Sequence, residues 1–296
     1  MIFHDPQTAG LIPGLVMRDI GAIWRCHIGN DVPTDEGDRA WSFLAPYLIK
    51  AHAFVFSRFS YLPDVLYHGR CLIAPPTIDP FSPKNQHMSA ETVRAIMVRM
   101  GLIAGSEGNG SRVFTQSDGR RSTVGRTAEV IREGGPLSPD TPLVVQVSRW
   151  DRLKDPVGVL RGFNRAMSAP DANGAHLVLA GPSMAAVADD PEGVEVHDEV
   201  VEVWKALPAE QRKRIALVNL PMDDLQENAA MVNALQRHAA VVVQKSLREG
   251  FGLTVTEAMW KARPVIGSAV GGITDQIEHG VSGLLLKRPD DEEAFA

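Results

Sequence analysis

Apolar residues fall along the chain in two alternating series. In the first, Ala22-Ile23-Trp24-Arg25-Cys26-His27-Ile28 reads as a strand, and residues 36–50 repeat at helical spacing with Trp41, Leu44, Leu48 and Ile49 on roughly one face. Ala53-Phe54-Val55-Phe56 and Cys71-Leu72-Ile73-Ala74 are the next strands, the latter stopped by Pro75-Pro76. The second series opens with a buried strand over 142–148 and a helix over 156–167, whose Pro156 suits a first turn. Strands over 176–180 and 214–220 end at Gly181-Pro182 and Pro221. A helix over 226–238, a strand over 240–243, a helix over 254–263 and a strand over 264–267 follow. A short helix over 273–279 closes on Gly280, and a last strand occupies 283–286. Such alternation predicts an α/β chain with parallel sheets covered by helices on both faces.

Between 103 and 140 the periodicity dissolves. Seven glycines lie there among Ser, Thr and Arg. A connection of that length is uncommon in a compact domain, so the stretch reads as a helix fragment plus a mobile inter-domain segment. Two domains are expected, an incomplete one over 1–140 and a second over 141–296. The length of 296 residues, 44% of them hydrophobic, is enough for two cores.

A formal charge of −6, a pI near 5.9 and the lack of a long basic run argue against a nucleic-acid partner. No stretch approaches the ~20 apolar residues of a membrane span, and Met1–Pro6 is too short and polar for a signal peptide. A soluble, cytoplasmic protein is the expectation. Cys26 and Cys71 lack metal-ligand spacing and read as reduced thiols.

Three loops carry candidate chemistry. Ser246-Leu247-Arg248-Glu249-Gly250-Phe251-Gly252-Leu253-Thr254 runs from a strand into a helix. Glycines there allow close approach to a phosphate, and a helix N-terminus adds about half a positive charge. Glu249 and Glu257 can border one crevice at the carboxyl ends of the strands; the alternative is a tight turn with two solvated acids. Arg149-Trp150-Asp151-Arg152-Leu153-Lys154 places two cations, Arg149 and Lys154, between a strand and a helix, suited to a diphosphate or else part of a surface charge cluster. Val270-Gly271-Gly272-Ile273 is a third strand-to-helix loop, or simply a turn. Three such loops in one α/β half are hard to explain as unrelated turns. The acids Asp31, Asp35, Glu36 and Asp38 read as a loop and helix start, and no Asp-x-Asp motif occurs in a plausible place. No essential metal and no cofactor is therefore expected. No Gly-x-Gly-x-x-Gly follows a first strand, which disfavours a dinucleotide-dependent oxidoreductase.

With Glu249-(seven residues)-Glu257, Arg149 with Lys154, and Gly271-Gly272, the chain resembles the retaining family-four glycosyltransferases. Adding His4-Asp5-Pro6-Gln7, Trp24-Arg25-Cys26-His27-Ile28 and Pro75-Pro76-Thr77-Ile78-Asp79-Pro80, it is most similar to the glycosyl-transferring trehalose synthases, with retaining trehalose phosphorylases as relatives. The resemblance implies two Rossmann-like domains facing across a cleft. It also implies reversible transfer of glucose from a nucleoside-diphosphate glucose to free glucose, with a trehalose phosphorylase or a catalytically silent sugar-nucleotide module as alternatives. It assigns Arg149 and Lys154 to the donor diphosphate, helped by the N–H groups of Gly252, Leu253 and Thr254, and Glu257 to the ribose hydroxyls. Glu249 and His27 would face the transferred glucose. Asp5, Gln7 and Arg25 would face the acceptor, and Gly271 and Gly272 belong with substrate binding. The leaving phosphate itself would take the acceptor proton on the same face. Base contacts are expected near Asn219 and Leu220. The partners implied are a sugar and a nucleotide-sugar, with a homodimer as the one protein assembly allowed for. Against the family pattern, a strand and glycine-rich loop are expected before Met1 and further helices after Leu286. A truncated chain with an unpaired first-sheet edge, weak nucleotide binding and little trehalose synthesis is the corresponding expectation.

Overall fold

The computed structural model describes residues 1–67, 70–106, 111–169, 174–184 and 191–296. It divides into two compact units. One comprises Met1–Thr77 with Arg248–Leu253 and Val270–Asp275; the other comprises Ile78–Leu247, Thr254–Ala269 and Gln276–Ala296.

The first unit is built on a parallel four-stranded sheet of β1 (Ile2–His4), β2 (Ile23–Cys26), β3 (Ala53–Phe56) and β4 (Cys71–Ile73), in that spatial order. Side chains alternate across a strand. That sends Trp24 and Cys26 of β2 inward while Arg25 stays half-exposed. Helix α1 (Asp35–Leu48) starts where Thr34 accepts the Gly37 N–H, and Asp35, Glu36 and Asp38 complement the positive end of its dipole. Leu44 and Leu48 are buried, whereas Ile49, expected on the same face, sits at the C-cap and is exposed. Phe3, Ile12, Trp24, Leu48, Phe54 and Phe56 form the core, with the Trp24 and Trp41 rings edge to face.

The second unit adds strands β5 (Val113–Thr115), β6 (Arg121–Thr123), β7 (Glu129–Ile131), β8 (Leu143–Val147), β9 (His176–Pro182), β10 (Ile215–Leu220), β11 (Val241–Gln244), β12 (Val265–Ser268) and β13 (Leu284–Leu286). Seven of them make one sheet in the order β13-β12-β11-β8-β9-β10-β7, parallel except for β7 against β10. Its longer helices are α2 (Ala90–Arg99), α3 (Pro156–Ala166), α4 (Pro191–Lys205) and α5 (Leu225–His238); α6 (Leu253–Trp260) begins on the last residue of the first unit's loop. The chain lays β8, β9 and β10 outward in one direction, then returns to place β11 on the other side of β8. Such a reversal opens a crevice at the carboxyl end of the central strand. Leu177, Leu179, Leu217 and Val243 of the sheet pack with Val159, Leu160 and Phe163 of α3 and Val196, Val200 and Trp204 of α4.

Residues 103–140 differ from expectation. Among the described residues of that segment there is no helix fragment; residues 107–110 lie outside the description. Instead β5 and β6 form an antiparallel hairpin turned through Gly119 at φ +86, with Phe114 and Val124 buried. β7 then pairs with β10, Val130 opposite Val218. Three-residue strands separated by glycines leave no readable period, and the β7 partner lies far along the chain. The division between units also falls near Thr77 rather than at 140. Residues 78–140 join the second unit through the β7–β10 pairing and the packing of α2 on α5.

Candidate functional site

In the second unit, the crevice at the end of β8 is a cavity of about 340 Å³. Ser148 and Arg149 at the end of β8, Gly181 and Pro182 at the end of β9, Leu220 of β10 and Gln244 of β11 line it, joined by Lys84, Lys154 and Thr254. Local bonds fix the cation loop. Asp151 caps a single helical turn by accepting the Leu153 N–H at 2.7 Å, and the buried Gln146 amide donates to the Lys154 carbonyl at 2.7 Å. Asp155 is left-handed at φ 49, accepts the Gly158 N–H at 3.0 Å and pairs with the fully buried Lys245. That buried charge pair locks the turn from below; removing one partner would leave an uncompensated charge inside. The Arg149 side chain is 69% exposed, with its guanidinium 2.9 Å from Asp151. Arg149, Lys154 and Thr254, the second residue of α6, thus share one cavity, two cations beside a helix N-terminus.

Glu257, on the same helix, is 5% exposed. Its Oε1 lies 2.8 Å from the Lys84 ammonium and its Oε2 3.5 Å from the Gln236 amide. Lys261, 4% exposed, donates to Asn85 Oδ1 at 2.9 Å, Gln236 Oε1 at 2.7 Å and the Glu257 carbonyl at 3.2 Å. Burial pushes its ammonium down to about 7. The expected base contacts divide: Leu220 lines the cavity, whereas the buried Asn219 amide bonds to His197 and Glu129.

In the first unit, the loop carrying the half-buried Glu249 interlocks with Gly271-Gly272. The Tyr61 hydroxyl donates to the Gly250 carbonyl at 2.5 Å and the Glu249 carbonyl at 3.3 Å, and the Gly272 N–H donates to the Gly250 carbonyl at 3.2 Å. A Cβ on Gly271, already at φ +52, would stand 1.7 Å from the Glu249 carbonyl oxygen; one on Gly272 would stand 2.6 Å from the Phe251 ring. The two backbones approach closer than any side chain permits, which accounts for the glycine pair. Asp31 accepts the Gly271 N–H and also pairs with Arg58. Arg58 grips Asp275 through two N–H groups at 2.6 and 2.9 Å and lies over the Tyr61 ring. Burial alone would lower its pKa, but the bond to Asp275 and the Asp31 charge raise it.

His27 is exposed at the end of β2. Its Nε2 is 2.9 Å from Nδ1 of His4 with the rings stacked, and its backbone N–H donates to Asp5 Oδ1 at 2.7 Å. Asp5 is held at φ +61, its carbonyl taking the Trp24 indole N–H at 3.0 Å. Arg25 instead donates to the Ala74 carbonyl at 3.1 Å, and Gln7 lies exposed. The first unit therefore gathers Asp5 and His27, and separately interlocks the Glu249 loop with Gly271-Gly272. The second gathers Arg149, Lys154 and Thr254. Lys84, Lys245, Tyr61 and Arg58 went unassigned from the sequence, and His4 appeared only as part of the His4-Asp5-Pro6-Gln7 motif. Lys84 lies just beyond the Pro75-Pro76-Thr77-Ile78-Asp79-Pro80 motif.

Residues 1–63 match the family described as trehalose synthase, N-terminal domain. The chain is 32% identical to the trehalose synthase of Pyrococcus horikoshii over 287 residues, covering 97% of this chain and 57% of that protein. It is 33% identical to that of Rubrobacter xylanophilus over 300 residues, covering 99% and 59%. It thus spans somewhat over half the length of these relatives. Among solved structures, an α,α-trehalose-phosphate synthase (UDP-forming) from Burkholderia vietnamiensis superposes with a TM-score of 0.67 at 15% identity, over 99% of this chain and 61% of that one. A sucrose-phosphate synthase from Thermosynechococcus elongatus gives 0.63 at 21%, over 99% and 62%. This likeness shows the fold, a GT-B-like architecture of Rossmann-type domains. Residues 128–296 match the family described as glycosyl transferases group 1, and to that family the chain belongs.

Proposed function

We propose that the whole protein is a retaining glucosyltransferase that moves glucose from a nucleoside-diphosphate glucose to free glucose, forming trehalose reversibly. The observation that carries the reading is the cavity at the end of β8, where Arg149, Lys154 and the first turn of α6 converge. Fixed cations and backbone dipoles of this kind stabilise charge growing on a leaving diphosphate, and preorganised donors cost no reorganisation as the bond breaks. Glu249 and His27 are assigned to the transferred glucose, and Asp5 to the acceptor. The glucosyl–oxygen bond to the diphosphate breaks as the acceptor hydroxyl attacks on the same face. The departing phosphate oxygen takes the hydroxyl proton, so configuration is retained without a protein nucleophile. Sequence similarity to trehalose synthases over nearly the entire chain supports the choice of acceptor.

The test is product analysis. The full-length protein is incubated with glucose and, in turn, UDP-, ADP- and GDP-glucose, and the disaccharide is examined by proton NMR. A non-reducing product with both anomeric carbons α is expected from at least one donor. Cleavage of trehalose by inorganic phosphate but by none of the nucleoside diphosphates would turn the reading to a phosphorylase.

A further inference from the structure

The Pro75-Pro76-Thr77-Ile78-Asp79-Pro80 motif leads into a segment with no part in the reading above. Asp79 organises its start, its Oδ1 accepting the Phe81 N–H at 2.9 Å and its carbonyl taking the Ser82 hydroxyl at 2.8 Å and the Asn85 amide at 3.0 Å. The carbonyls that follow are caught by side-chain donors, most of them buried or half-buried. Asn233 of α5 donates to Pro83 and Gln86, both at 2.9 Å. Arg237 donates to Asn85 and Gln86, and the Trp260 indole to Asn85 at 3.1 Å. Lys261 holds the Asn85 side chain from beneath. Lys84 is thereby fixed through the carbonyls on both sides of it, in a short stretch of loop that carries far more bonds than a connector needs.

At its far end, the Lys84 ammonium stands 2.8 Å from Oε1 of Glu257, whose side chain is 6% exposed, while Lys84 itself is 39% exposed and lines the crevice with Arg149 and Lys154. A carboxylate so buried is costly unless paired. Held by that contact, its two oxygens are placed as acceptors for a pair of vicinal hydroxyls. We infer that Lys84 is a positioning residue of the nucleotide site. Its contact with Oε1 turns Glu257 to accept the two ribose hydroxyls of a nucleoside diphosphate, and so sets selectivity for a ribose over a sugar lacking them. The inference rests on the proposed reading of the crevice and of Glu257.

Calorimetric titration of the full-length protein with UDP, ADP and GDP and with their 2′,3′-dideoxy counterparts tests it in wild type, Lys84→Met and Lys84→Arg, after circular dichroism confirms folding. Wild type should prefer the ribose form of its best nucleotide by about 10-fold or more, the scale of hydrogen bonds to a charged group. Lys84→Met should bind both forms alike, to within about 2-fold, at the affinity of the dideoxy form; Lys84→Arg should keep most of the preference. A Lys84→Met protein that retains the preference, whether or not both affinities fall together, overturns the role of Lys84 alone. A wild type indifferent to the hydroxyls overturns the ribose reading of Glu257. No binding of any nucleoside diphosphate removes the nucleotide reading of the crevice and the inference with it.

Discussion

Glu249 offers a direct residue-level test because backbone contacts hold its loop. Tyr61 bonds the Glu249 and Gly250 carbonyls, and the glycine pair at 271–272 packs against the same backbone. Glu249→Ala should therefore leave the loop in place. Turnover by the full-length protein should drop roughly 100-fold or more, the scale of a lost transition-state contact, while nucleotide affinity stays within about 2-fold. Steady-state kinetics with calorimetry separates the two; unchanged turnover would reduce the acid to a turn residue. Glu249, Arg149 and Lys154 were legible in the sequence because glycines and charges beside strand ends announce them. Tyr61 and Arg58 were not, and Asp31 read only as a loop acid, since each does its work through a partner some 190 to 240 positions away.

At the scale of elements, α6, α5 and the loop before α2 meet on Lys261. Its three acceptors suit an ammonium, yet burial holds its pKa at about 7, below the ordinary lysine value of 10.5. Between those values the unfolded chain binds the proton more fully than the folded one, so Lys261 makes stability rise with pH through that window. Urea unfolding at pH 7.5, 8.5 and 9.5 should show wild type gaining on Lys261→Met by about 1 kcal/mol per pH unit, the scale of a one-unit shift. A pH-independent difference would mean the lysine stays charged throughout. The strands over 53–56 and 143–147 were plain in the sequence because each is a short apolar run bounded by turn residues. The hairpin β5–β6 and strand β7 were not, because three-residue strands take their identity from partners.

At the scale of the whole chain, a net charge of −6 would oppose an anionic ligand at long range, so the proposed diphosphate binding would depend on cations close to it. The Arg149 side chain is largely exposed, so its attraction is open to screening; the Debye length falls from about 30 Å at 0.01 M salt to about 8 Å at 0.15 M. Arg149→Ala and Lys154→Met should each weaken UDP binding by up to about 10-fold at low salt, the scale of one surface-dielectric ion contact, and by visibly less at 0.3 M sodium chloride. Uridine binding should hardly change. Titration calorimetry at two salt concentrations measures this, and equal losses for UDP and uridine would point to a disturbed fold instead.

The sequence by itself determined the α/β class, the positions of most strands along the chain, the helix starts near Glu36 and at Pro156, and the glycine and cation loops, because these follow from local periodicity and turn chemistry. The tertiary structure alone decided that residues 78–140 belong to the second unit, that β7 closes the sheet beyond β10, and that Lys84 reaches Glu257. Pairings of this kind join residues tens to hundreds of positions apart. Nothing in the local pattern encodes which strand a three-residue segment will find, or which buried carboxylate a half-exposed lysine will neutralise.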